Sequence, residues 1–322
     1  MKINSSPLFL VFMVMALCFS CKNDTKEKNK PIQIHKSEST AVVSTPRFVE
    51  ILTESMEFKS VDTIPSGWNT FRYKNLSNET HFFLMDKYPE GKNITHTIKE
   101  IAPIFEKGMQ LINRGNPKEG FAAFGALPEW FGDIVFSGGS GLVSPKKTAI
   151  TTIYLEPGYY IMECYVKMPN GMFHTSMGMA KPIIVTQEDS GNTPPEPTVN
   201  ITVSNADGIV YDKPITKGQQ VFSVFYKDQK HHENFMQHDV NLVRLDANAD
   251  LETLEKWMDW SDPRGLITPA PSGVAFLGGV NDMPAGRTGY FYADLIPGKY
   301  ALISEVPNAQ EKGLLKEFEI KD

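Results

Sequence analysis

Leu155-Glu156-Pro157-Gly158-Tyr159-Tyr160-Ile161-Met162-Glu163-Cys164-Tyr165-Val166 returns, 140 residues later, as Leu295-Ile296-Pro297-Gly298-Lys299-Tyr300-Ala301-Leu302-Ile303-Ser304-Glu305-Val306. Working outward, Phe136, Gly138, Gly139 and Thr148 meet Phe276, Gly278, Gly279 and Thr288 at the same offset, without a gap. Farther upstream, Tyr73-Lys74 precedes His81-Phe82-Phe83-Leu84, and Tyr226-Lys227 precedes His238-Asp239-Val240-Asn241-Leu242. Self-similarity at a constant period marks a repeated structural unit. It predicts two homologous domains, residues 46–187 and 197–322, divided by the Pro/Gly-rich stretch 188–196 that neither helix nor central strand tolerates.

Within each copy the pattern is mostly strand. Thr148 to Leu155 and Tyr159 to Val166 flank Glu156-Pro157-Gly158, where Pro and Gly suit a tight turn, so a β-hairpin is expected. Ile183-Ile184-Val185 reads as a short closing strand. Between His81 and Gly138, the residues Ile94, Ile98, Ile101, Phe105, Met109 and Ile112 recur at helical spacing behind an Asn93 N-cap. One amphipathic helix is therefore inserted in the first copy, kinked or split at Pro103. The second copy has a shorter equivalent, Leu251 to Trp257. The expected class is all-β: two tandem β-sandwiches, the first with a helical insert.

Composition agrees with this class. The 322 residues suffice for about two domains, and 41% hydrophobic with 22% charged residues is ordinary for globular chains. A net charge of −6 argues against nucleic-acid binding, which clustered Lys and Arg carry. Gly-x-Ser-x-Gly, His-Glu-x-x-His and phosphate-loop motifs are absent, so hydrolase and nucleotide chemistry find no support. A His/Met-rich stretch, His231-His232 with Met236 and His238, reads as a solvated loop with loose affinity for Cu or Ni as the sharper alternative.

Residues 1–21 combine Lys2 with an apolar run from Leu8 to Leu17, too short to span a bilayer comfortably, and read as a secretory signal. Ser20 before Cys21 resembles a bacterial lipobox, which implies cleavage and lipidation at Cys21; Cys18 is an imperfect match to that pattern. A plain cleaved signal and an uncleaved anchor are the alternatives. Residues 22–45 are polar and aperiodic, as expected of a flexible tether. The expected location is the cell envelope, on the periplasmic or surface side of a bacterial membrane, with the lipid as membrane contact.

Three cysteines are present: Cys18 leaves with the signal, Cys21 takes lipid, and Cys164 alone stays in the folded body, so no internal disulfide is expected. A lone thiol in an exported chain is either buried and inert or held for a purpose such as a metal. Cys164, His174 and Met179 follow a Cys-x9-His-x4-Met spacing on the loop between the last two strands of the first copy. Here the chain resembles the cupredoxins, the blue copper family, which implies two tandem cupredoxin-like Greek-key β-sandwiches, and its loop is similar to that of the type 1 copper domain of copper nitrite reductases. The resemblance implies two imidazoles and a thiolate, His81, His174 and Cys164, around copper, with an axial thioether from Met179 or, alternatively, Met177. Each residue also has a plain structural reading, as core or loop closure.

The departures from that family matter. Glu163 and Tyr165 adjoin Cys164 where the enzymes of the family place a His that reaches a second copper, so no catalytic centre is expected. The second copy is degenerate: Ser304 stands at the Cys position, its loop is five residues shorter, and Leu314 follows Gly313 where Met179 follows Gly178. Two functions are compatible with this. The first is a non-enzymatic copper protein for electron transfer or copper handling; the second is a metal-free interaction module at the envelope. Met172, Phe173 and Met177 around His174 are expected to form an apolar patch for a redox or envelope protein partner, or else to be covered by the neighbouring domain.

Overall fold

The computed structural model describes residues 48–232 and 235–322; the signal, Cys21 and the tether lie outside the described residues. Residues 46–322 group into one compact unit. Fifteen strands make up the described part: β1 (Phe48–Thr53), β2 (Thr63–Asn75), β3 (Leu84–Lys87), β4 (Val135–Gly139), β5 (Thr148–Leu155), β6 (Gly158–Glu163), β7 (Ala180–Asp189), β8 (Val199–Ser204), β9 (Gly208–Tyr211), β10 (Gly218–Tyr226), β11 (Val240–Leu245), β12 (Val274–Val280), β13 (Thr288–Leu295), β14 (Gly298–Ile303) and β15 (Leu315–Ile320). The chain is all-β with a helical insert, as its sequence pattern predicts.

Strand β2 divides its loyalty. Its start runs parallel to β7, while Gly67 to Lys74 ladders antiparallel with β5. One layer of the first half is thus β4-β3-β6-β7, the other β1-β2-β5. The second half repeats the scheme with β12-β11-β14-β15 against β13-β10-β8-β9. Alternation does the packing: along β2 every second side chain from Phe71 to Asn75 is buried, and Phe71, Tyr73 and Phe83 meet edge-on or tilted in the core.

The expected hairpin is not formed. β5 pairs with β2 and β13, and β6 with β3 and β7, so Glu156-Pro157 is a corner that crosses between layers rather than a turn joining paired strands. A proline has no N–H to give a ladder, which suits a corner as well as a turn. The helical expectation fares better. Asn93 caps the helix by accepting from the Thr95 N–H, and helix runs from Ile94 to Asn113. Pro103 falls in the first turn after a π-helical segment, Thr97–Ile101, so the irregularity precedes the proline instead of breaking the helix at it. A further helix, Pro117–Ala123, follows, and the second half carries Leu251–Met258.

The halves join through β5 and β13. Ile150 pairs with Tyr292, Thr151 with Phe291 and Thr152 with Tyr290; Thr151 and Phe291 are repeat equivalents at the 140-residue offset, and that offset exchanges the two flanking pairs. A local two-fold axis therefore passes between Thr151 and Phe291, the relation found in isologous interfaces. Beside it lie the repeated glycine pairs. A Cβ on Gly139 would sit 1.7 Å from the Phe83 carbonyl oxygen and one on Gly279 1.9 Å from that of Val240, so neither position accepts a side chain. Gly138 N–H donates to Asp282 O, and Asn281 N–H donates to Gly139 O, across the axis.

Candidate metal centre

The site is assembled at one end of the first half from three separate segments. His81 is held by a two-way backbone bridge with Val143. The approach to it is stapled by Asn75, whose amide donates to the carbonyls of Glu79 and Val143, both at 2.8 Å, while its Oδ1 accepts from the Ser77 N–H and hydroxyl. Cys164 follows the last residue of β6, and its N–H donates to Met179 O. The loop between closes on itself: His174 N–H donates to Val166 O, Met179 N–H to His174 O, and the Thr175 hydroxyl to Cys164 O at 2.9 Å.

These constraints bring His81, Cys164 and His174 together with no solvent exposure. The Cys164 sulfur lies 3.8 Å from Nδ1 of each histidine, and the two Nδ1 atoms are 3.0 Å apart. Among the described residues this is the one group of three His, Cys or carboxylate donors converging within 4.8 Å. Metal–sulfur bonds of about 2.3 Å and metal–nitrogen bonds of about 2.0 Å put S and N roughly 3.7–3.8 Å apart in a trigonal plane. The sulfur-to-nitrogen distances match that spacing, and the donor set of two imidazoles and one thiol is the one that soft, borderline metals prefer. The residues fit a metal.

Protonation follows from burial. Burial depresses His81 to about 4 and, helped by the neighbouring His81, His174 to about 3, so both rings are neutral at pH 7. Burial also pushes the Cys164 thiol up to about 12, against the Phe82 and Val166 N–H groups that favour the thiolate. On the far side of His174, Nε2 stands 3.2 Å from the Glu79 carboxylate but outside hydrogen-bond geometry. Nε2 of His81 is buried without a partner.

The two methionines separate. Met179 is fully buried at the site end, whereas Met177 is 51% exposed and points away from the core. The apolar patch is not formed as expected: Phe173 is buried, stacked on Trp260 at 5.8 Å and edge-on to Phe105, because the second half covers it. Met177 alone of that trio is exposed. In the second half, His238 occupies the place of His81, Ser304 donates to Asp239 and supplies no thiol, and the His238 and His232 rings approach with Nε2 atoms 3.2 Å apart. The segment from Asn75 to His81 resembles the Asn-then-His segment of the blue copper family, whereas the placement of Glu79 beside His174 has no sequence signal.

No family model and no curated protein matches the chain. Among solved structures it is similar to auracyanin A, a blue copper protein from Chloroflexus aurantiacus, at 21% identity over 44% of this chain and 100% of that one, with a TM-score of 0.27. It is also similar to reduced auracyanin from Roseiflexus castenholzii, at 22% identity over 43% and 96%, TM-score 0.26. A copper-containing nitrite reductase from Thermus scotoductus aligns at 11% identity over 85% of this chain and 61% of that one, TM-score 0.21. The two-layer arrangement with a His-Cys-His triangle at one end is cupredoxin-like on its own topology and donors.

Proposed function

We propose that the chain binds one copper ion in a type 1-like centre formed by His81, Cys164 and His174, with Met179 in the axial position, and serves one-electron transfer or copper handling at the cell envelope. The observation that carries this is the buried triangle of two neutral imidazoles and one thiol, whose donor atoms converge. Bound copper would supply a reversible one-electron couple whose potential the axial donor and the surroundings of the sulfur tune. The chain's own residues do the rest. Asn75 and the Val143 bridge fix His81, the His174 N–H to Val166 O bond fixes His174, and the closed loop buries the donors.

Carriage rather than catalysis is supported by the neighbours of Cys164, which are Glu163 and Tyr165 and carry no imidazole toward a second centre. Attachment through a lipidated Cys21 is part of the same proposal and rests on the lipobox-like Ser20-Cys21. The deciding experiment is a Cu(II) titration followed by visible absorption and EPR. An intense thiolate-to-copper band at one equivalent, absent in Cys164→Ser, supports the centre. A colourless protein with no stoichiometric uptake of Cu(II) or Cu(I) overturns it in favour of a metal-free interaction module.

A further inference from the structure

The connection from β10 to β11 takes residues 227–239 in the second half, where the first half takes only 76–83 from β2 to β3. The added length carries His231 and His232. It does not form the solvated loop that its polar sequence predicts. Met236 and His238 are buried, His232 is half-buried and His231 is exposed. The Met236 side chain lines an aromatic cavity with Phe105 and Trp260, so its thioether is engaged in packing.

Hydrogen bonds anchor the chain on both sides of the pair His232 and His238. The Gln229 side chain clamps His238, its Oε1 accepting from the His238 N–H at 2.8 Å and its Nε2 donating to His238 O at 2.9 Å and Met283 O at 2.8 Å. The His232 N–H donates to Met236 O at 2.8 Å and closes the loop on itself. Thus held, the two rings tilt at 49° to each other with Nε2 facing Nε2 at 3.2 Å. Metal–nitrogen bonds of about 2.0–2.1 Å to two atoms so spaced subtend about 100–106° at the metal, the angle between neighbouring ligands of a tetrahedral or tetragonal ion.

Burial holds His238 below the ordinary histidine range, so its ring offers a lone pair at pH 7; Asp228 pulls the other way, and Lys230 and Lys312 add to the lowering. Nδ1 of His238 is buried without a hydrogen bond, which leaves Nε2 as the ring's one engaged nitrogen. Facing nitrogens satisfy each other only when one carries a proton, whereas a cation between them takes both lone pairs at once. No third His, Cys or carboxylate atom converges on the pair among the described residues, so its other positions fall to water. Two imidazoles without a thiolate favour Cu(II) over Ni(II) and Zn(II), because affinity for such a site follows the Irving–Williams order.

We propose that His232 and His238 form a second metal site, a thiolate-free Cu(II) site with both Nε2 atoms as ligands, in the half that has Ser304 at the cysteine position. Half-buried His232 keeps it within reach of aqueous ions, in contrast with the fully buried triangle of the first half. The site stands whether or not His81, Cys164 and His174 take a metal.

The test is Cu(II) titration of the full chain and of Cys164→Ser, read by equilibrium dialysis and EPR. Cys164→Ser should still take up Cu(II) without a thiolate-to-copper band, and adding His232→Gln should remove one equivalent. His231→Gln should remove none. Ni(II) and Zn(II) should displace that equivalent only at an excess of at least about tenfold. Unchanged uptake in His232→Gln, or its loss with His231→Gln instead, would overturn the proposal. If His232→Gln does not fold, copper-catalysed oxidation of the unaltered chain with ascorbate in air decides: peptide mass spectrometry should find oxygen added on His232 or His238, and oxidation confined to other histidines overturns the site. An unaltered chain that shows no thiolate band and yet loses one equivalent on His232→Gln would refute the first-half centre and leave this one in place.

Discussion

Loading a metal on His81, Cys164 and His174 should release one proton, and that proton should come from Cys164. With its thiol pushed up to about 12 by burial, Cys164 sits about five pH units below its pKa at neutrality. At about 1.36 kcal/mol per unit, forming the thiolate before metal arrives costs about 7 kcal/mol, and the free thiolate fraction is on the order of one in 10⁵. The imidazoles contribute nothing above pH 5, because burial holds His81 near 4 and His174 near 3, and both are already neutral. The apparent affinity should therefore rise tenfold per pH unit from pH 6 to 8.5. Co(II) is a suitable probe, being redox-silent and coloured on thiolate binding. Calorimetry in buffers of different ionisation enthalpy reads the proton count directly. Release near zero would mean that the thiol is not a ligand or is already ionised; release of two would mean that a histidine arrives protonated. Either count refutes the reasoning from burial.

Asp282, raised to about 8 by burial, keeps its proton in the folded state where the unfolded chain has lost it, so the group's contribution to stability falls as pH climbs from about 4 to 8. Asp282→Asn should therefore gain several kcal/mol relative to the unaltered chain between pH 5 and pH 8 in urea unfolding, and an equal difference at both pH values would contradict the raised pKa. Gly139→Ala should destabilise by about 3 kcal/mol or more, since its Cβ would overlap the Phe83 carbonyl, whereas Gly132→Ala, with open space around it, should change the unfolding midpoint little. Met179→Ala should cost about 2–5 kcal/mol of metal-free stability and shift the visible band of the copper-loaded protein. Met177→Ala, at an exposed position, should do neither, and a spectral change there would reassign the axial donor.

Much of the site could be read in the chain. Cys164, His174 and Met179 lie within one loop, so their spacing survives in one dimension, and His81 follows from the resemblance of that loop to the blue copper family. What escaped was long-range. Whether Leu155 and Gly158 belong to paired strands or to facing layers depends on which partner completes each ladder, and the Glu156-Pro157 corner looks the same either way. The gathering of Asp86, Glu163 and Asp282 across the local two-fold axis has no local signature, because each is an ordinary surface-type residue in its own neighbourhood. Trp260 over Phe173 is likewise a contact between segments 87 residues apart, set by Lys167 docking onto the Trp260 and Asp262 carbonyls. The resulting cover turned an expected docking patch into an interior.

The ladder between β5 and β13 bears on what each half can do alone. Without β13, Ile150 to Thr152 of β5 would present unpaired N–H and C=O groups to any extended chain that came by. A fragment ending at Gln187 would carry every donor of the metal triangle and still be prone to edge-to-edge aggregation. The half with Ser304 at the cysteine position thus supplies a guard strand for the half that carries the thiol, and the two should melt in a single cooperative transition.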